Sequence, residues 1–105
     1  MPDDAWVDLV AVTALEPGDV TPVDHGGKRL AVYDAPDGIH VTAARCSHGG
    51  ADLCDGYFDG KLIECPLHQG CFDIRTGQAR GRPATRPIKT YECRVVNGMV
   101  QIKTS

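Results

Sequence analysis

The sequence predicts an all-β domain, mostly antiparallel, with two ligand-bearing loops projecting from one end. Three observations carry that reading. Short β-branched and aromatic runs recur along the chain, separated by Gly, Pro, Asn and Asp turn signals. Asn97-Gly98, the pair best suited to the two positive-φ positions of a type I′ turn, sits between two apolar runs. No segment sustains helical periodicity beyond a turn or two near Leu15.

Taken in order, Trp6–Val12 alternates partly and is β-branched enough for a first strand, which Pro17-Gly18 soon ends. Trp6 is expected in the core. Lys28–Tyr33 and Ile39–Ala43 flank the turn signal Pro36-Asp37-Gly38 and form a hairpin. His40 lies in its second strand, and His25, beside Gly26-Gly27, in a loop. Structural or surface roles are expected for both. Asp59-Gly60 turns the chain into Lys61–Glu64, which delivers Cys65, and Cys71–Ile74 leads away to a turn at Thr76-Gly77. Tyr91, Cys93 and Val95 alternate with Glu92, Arg94 and Val96 as one strand, with Cys93 a small buried hydrophobe on its apolar face. Asn97-Gly98 then folds it onto Met99–Ile102.

At 105 residues, the chain is expected to be a single domain, 1–105. Its net charge of −3 and 42% hydrophobic content are ordinary for a globular protein. The signs are unevenly spread: residues 1–71 hold 4 basic and 12 acidic side chains, residues 72–105 hold 7 and 2. No basic stripe interleaved with aromatics appears, so no nucleic-acid partner is expected. Met1-Pro2-Asp3-Asp4 has neither a basic n-region nor an apolar h-region, and no apolar run approaches the ~18 residues of a membrane span. The expectation is therefore a cytoplasmic monomer, away from the membrane, with its non-ligand thiols reduced.

The chemistry concentrates between Arg45 and Asp73. Cys46-Ser47-His48 is followed, after sixteen residues, by Cys65-Pro66-Leu67-His68. Each half offers one thiolate and one imidazole, a donor set for zinc, copper or iron–sulfur rather than magnesium or calcium. A single Cys2His2 zinc is one reading. Zinc modules, however, usually pair like with like, as C-x2-4-C and H-x3-5-H. Here each loop mixes the two kinds. That order favours a binuclear [2Fe–2S] centre in which both cysteines bind one iron and both histidines the other.

The run CSHGGADLCDGYFDGKLIECPLHQGCFDIRTG resembles the cluster-binding segment of a Rieske-type ferredoxin, and most specifically CSHGGADLCDGY with IECPLHQGCFDIRTG. The likeness is to the ferredoxin components of bacterial aromatic-ring-hydroxylating dioxygenases of the biphenyl, naphthalene and toluene kind. It extends over nearly the whole chain. The resemblance implies a Rieske fold: an antiparallel β-sandwich or barrel-like basal domain (1–44 and 74–105) carrying a small cluster-binding subdomain of two loops (about 45–73). It implies one Rieske-type [2Fe–2S] cluster per chain, with Cys46 and Cys65 on one iron and His48 and His68 on the other. The histidines are implied to reach the surface as the electron exit, and the proline-containing loop around Arg80, Arg82 and Arg86 to cover the cluster from one side.

Departures from other Rieske branches carry information. The respiratory branch bridges its two loops with a disulfide, and the corresponding positions here are Ala51 and Leu67. A bridge between Cys54 and Cys71 is conceivable, but their positions differ from that pair and a reducing compartment opposes it. Where the high-potential branch often places a hydroxyl near the cluster, this chain has Cys71, a weaker donor. Fewer hydrogen bonds to the sulfurs predict a potential toward the low end of the Rieske range, near about −150 mV. Two neutral imidazoles in place of two thiolates still leave the site less negative than a four-cysteine cluster, which raises the potential above plant-type ferredoxins.

Such a centre carries one electron and holds no organic substrate. Oxygenation needs a mononuclear iron, typically on two histidines and a carboxylate, and only His25 and His40 remain here. The chain is therefore expected to be a soluble carrier and not an enzyme. The resemblance implies that an NADH-dependent flavin reductase supplies its electrons and a terminal Rieske oxygenase receives them. Asp52, Asp55 and Asp59, following the first loop, are candidates for steering basic partners. The small subunit of an assimilatory nitrite reductase, a structural zinc module and a ferredoxin serving a monooxygenase remain as alternatives.

Overall fold

The structure, a computed structural model, describes residues 6–45, 51–66, 70–80 and 87–103. Its strands are β1 (Trp6–Ala11), β2 (Val20–His25), β3 (Lys28–Ala35), β4 (Gly38–Ala43), β5 (Tyr57–Phe58), β6 (Leu62–Glu64), β7 (Cys71–Asp73), β8 (Thr90–Tyr91), β9 (Cys93–Val96) and β10 (Met99–Lys103). They form three antiparallel sheets, ordered β1-β10-β9, β2-β3-β4-β8 and β5-β6-β7. Single 3-10 turns occupy Val12–Ala14, just before Leu15, and Leu53–Asp55.

Strand β3 is the centre of the packing. Leu30, Ala31, Val32 and Tyr33 are all buried, an unbroken apolar run because both faces of the strand are covered. Leu30 and Val32 join Leu15, Val41, Val100 and Ile102 in one core, shared with the sheet of β1, β9 and β10. Ala31, Tyr33 and Ala35 face the opposite way. They pack with Leu53, Phe58, Ile63, Cys65, Phe72 and Ile74, which belong to the β5-β6-β7 sheet and its flanks. The Tyr33 and Phe58 rings meet at 5.1 Å, tilted by 53°. The buried Tyr33 hydroxyl donates to Thr42 Oγ1 at 2.9 Å, and that hydroxyl donates in turn to the Ala43 carbonyl. An ion pair between Arg75, after β7, and Asp37, in the β3–β4 turn, braces the small sheet against the large one.

The β3–β4 hairpin forms as expected through Pro36 and Asp37, and Asn97 (φ 52°) with Gly98 (φ 79°) makes the expected positive-φ turn between β9 and β10. Several details differ from the sequence expectation. His25 ends β2, paired with Lys28, and is not in a loop. The strand itself goes unread because Pro22 interrupts its pattern. Pro22 is tolerated since β2 is an edge strand and needs no outward N–H. The expected Tyr91–Val96 strand breaks at Glu92, where the chain leaves β4 for β10, and Val95 is 49% exposed. Cys93 is half-buried against the core of Leu30, Val41 and Ile102, its thiol donating to the Ile39 carbonyl at 3.2 Å. Trp6 is half-buried, not core, with the Arg94 guanidinium 4.2 Å above its ring.

Candidate metal centre

Both ligand loops are rooted in the same apolar core. The first leaves the large sheet after β4 and returns at Asp52. Arg45 and Asp52 form an antiparallel bridge, and the Leu53 N–H donates to the Ala44 carbonyl at 2.7 Å. Residues 46–50, which include Cys46 and His48, lie outside the described residues, but their point of exit and return is fixed. The second loop begins as β6 ends. The Cys65 N–H donates to the Gly70 carbonyl at 2.7 Å, which closes the segment across Pro66 and residues 67–69. His68 falls in that span, outside the described residues.

Of the four predicted ligands, the structure thus places Cys65. It is 1% exposed and packs in the core that also holds Ala44, Ala51 and Leu53 from the first loop's stem. Two loop stems that share one apolar floor are what a four-donor site spanning two segments requires. The donor set, two sulfurs and two nitrogens, fits a [2Fe–2S] cluster of mixed ligation. A third segment starts beside β7. The Arg80 N–H donates to the Cys71 carbonyl, beside β7, and the Arg80 guanidinium lies 3.7 Å from Asp73. Arg82 and Arg86, expected in the covering loop, lie outside the described residues.

Asp52 has a role that sequence reasoning missed. One carboxylate oxygen accepts from the Cys54 backbone N–H at 2.9 Å and the other from Arg29 Nε on β3. Partial burial pushes its pKa up, but the Cys54 N–H and Arg29 outweigh that and hold it below the usual range. Asp52 therefore pins the return of the first loop and is not available for steering. Asp55 and Asp59 are exposed; Asp59 also accepts from the N–H groups of Lys61 and Leu62, which lowers its pKa. No sequence signal links Asp52 to Arg29, 23 residues away.

No disulfide joins Cys54 to Cys71. The Cys54 thiol is pushed up to about 12, first by burial and then by the Asp52 charge. Cys71, paired with Glu64 across β6–β7, is also raised, by burial and by Glu64 and Asp59. His40 Nε2 sits 3.0 Å from Asp37, the carboxylate that also holds Arg75, a structural role as expected. Among the described residues, no helix is long and apolar enough to cross a membrane.

Residues 5–92 match the Rieske [2Fe–2S] domain family. The ferredoxin component of the naphthalene 1,2-dioxygenase system of Pseudomonas putida is 45% identical over 100 residues, 95% of this chain and 96% of that one. The solved Sphingomonas yanoikuyae B1 ferredoxin superposes with a TM-score of 0.88 at 41% identity, covering 94% of this chain and 98% of its own. A chain in the complex of reduced oxygenase and oxidized ferredoxin of carbazole 1,9a-dioxygenase superposes with a TM-score of 0.85 at 36% identity, covering 95% and 94%. These likenesses exclude the zinc-module reading. The chain belongs to the Rieske [2Fe–2S] family, among the electron-carrying ferredoxin components of aromatic-ring dioxygenase systems.

Proposed function

We propose that Cys46 and Cys65 bind one iron of the cluster, and His48 and His68 the other, within a cluster-binding subdomain of about residues 45–73. The observation that carries this assignment is the convergence of two closed loop stems on one apolar core, with Cys65 already buried there. The bound cluster supplies a one-electron couple. The chain's own residues hold and insulate it. Cys65 sits where water does not reach, Asp52 and Arg29 hold the first loop's return, and the Cys65–Gly70 hydrogen bond closes the second. His48 and His68 are the proposed electron exit toward the partner.

The proposed partners are an NADH-dependent flavin reductase upstream and the terminal oxygenase of an aromatic-ring dioxygenase downstream. The monomeric chain docks weakly and transiently in the cytoplasm, as small redox interfaces do. Reconstitution tests this directly. NADH-driven dihydroxylation of an aromatic ring by reductase and oxygenase should require this chain, and a chain with His68→Ala should not support it. Turnover that proceeds equally without the chain overturns the assignment.

A further inference from the structure

Among the described residues, an unassigned groove runs across the start of β3, the end of β4 and β8. Two cavities, of about 440 and 590 Å³, meet along a shared wall of Lys28, Leu30 and Tyr91. Its floor is apolar: Leu30 and Ile102 are 2% and 1% exposed, and Tyr91 lies half-buried between the cavities. Its rim is cationic. Lys28, Arg29, Arg45, Lys89 and Lys103 line it against two carboxylates, Asp52 and Glu92, a surplus of three positive charges in a chain whose net charge is −3.

Arg29 is committed to Asp52, and more distantly to Asp24 at 3.9 Å. No described carboxylate forms an ion pair with Lys28, Arg45, Lys89 or Lys103. Lys89 instead stands over the Tyr91 ring, 5.0 Å from its centroid. A small anion is best held by donors converging on one point. These cations are strung along the groove from Lys103, at the end of β10, to Arg45, the residue before Cys46. Cations contributed by β3, β10, Lys89 and Arg45 suit several carboxylates along one segment above an apolar floor.

We propose that this groove docks a carboxylate-rich surface segment of an electron-transfer partner protein, which seats that partner beside Arg45 and Asp52 at the stem of the first metal loop. The inference rests on the electron-transfer reading above and adds to it the chemistry of the partner's surface. Asp55 and Asp59 lie outside the groove and play no part in it. Lys28 and Lys89 steer the acidic segment electrostatically, so salt screens the effect.

The test uses the cluster-loaded protein and fluorescein-labelled hexaglutamate, read by fluorescence anisotropy at low salt. The wild type should bind the peptide. The double variant Lys28→Glu/Lys89→Glu, with an unchanged visible spectrum, should bind it about tenfold or more weakly. Asp55→Asn should leave binding unaltered. Equal binding by the double variant, or equally tight binding of a single-stranded oligonucleotide of the same charge, overturns the proposal. In parallel, electron transfer from reductase and to oxygenase is timed. Slowing of at least one step in the double variant supports the groove. If both steps run at wild-type rates in the variant, the groove proposal falls while the carrier role stands. If the wild type transfers to neither partner yet binds hexaglutamate through Lys28 and Lys89, the carrier role falls and the acidic-ligand groove stands.

Discussion

Replacing Gly56 with alanine tests how tightly the second ligand loop is located. Gly56 has an ordinary extended backbone, φ −90° and ψ −169°, so any residue can adopt it. What it lacks is room. A Cβ there would lie 1.9 Å from the Glu64 carbonyl oxygen, 3.0 Å from its carbon and 3.2 Å from the Leu53 oxygen. Restoring van der Waals separation requires a displacement of about 1.5 Å. The β5–β6 hairpin has two residue pairs, Tyr57↔Glu64 and Phe58↔Ile63, so it has little with which to resist. Losing one or two ladder hydrogen bonds costs about 0.5–1.5 kcal/mol each. Repacking the buried Phe58 and Ile63 adds about 1–3 kcal/mol. A total of about 1.5–6 kcal/mol lowers the melting temperature by at least roughly 6 °C in a domain of this size. Because Glu64 directly precedes Cys65, the visible absorbance of the cluster should fade with the fold. The control is Gly98→Ala, at φ 79° with nothing within 4 Å, which costs about 1–2 kcal/mol in backbone strain and leaves the cluster spectrum alone. Circular dichroism melts with parallel visible absorbance decide it. A Gly56→Ala chain within about 2 °C of wild type, with its cluster intact, refutes the steric argument.

Cys71→Ser replaces a weak donor with a hydroxyl beside the second loop. A hydrogen bond stronger by about 0.5–1.5 kcal/mol raises the reduction potential by about 20–60 mV, measured by redox titration; no change removes Cys71 from the cluster's surroundings. Cys54, pushed up to about 12 by burial and then Asp52, stays protonated in the folded chain while the unfolded thiol ionises near about 8.5. Its contribution to stability is therefore complete below about pH 8.5 and is lost as the pH rises from there toward 12, and Cys54→Ala should flatten that alkaline decline in urea melts. The same burial predicts negligible iodoacetamide labelling of native Cys54 at pH 8. Phe72→Ala empties a fully buried site between β3 and the small sheet and should cost about 3–5 kcal/mol by denaturant unfolding.

Membership of the Rieske family was the most legible feature of the chain, because mixed Cys-x-His and Cys-x2-His spacing is a local pattern with few chemical solutions. The β3–β4 and β9–β10 hairpins were legible for a similar reason: Pro36-Asp37-Gly38 and Asn97-Gly98 dictate their turns locally. Strand β2 was not, since Pro22 argues against a strand unless the residue is known to lie on an edge. The break at Glu92 depends on which neighbouring strand accepts the hydrogen bonds, β4 before it and β10 after it, and no residue at the break announces the switch. Asp52 shows the same limit at the site. With Asp55 and Asp59 it reads as part of an acidic surface run, yet a guanidinium from β3 turns it into the fastening of the first loop.

The central claim is mixed ligation: sulfur on one iron and nitrogen on the other, from two loops on one floor. Mössbauer spectroscopy of the oxidised, 57Fe-enriched protein tests it most directly. Two iron environments of equal weight, as expected for one sulfur-ligated and one nitrogen-ligated ferric site, are the predicted result. A single environment for all the iron, or protein that incorporates zinc and no iron, would contradict it.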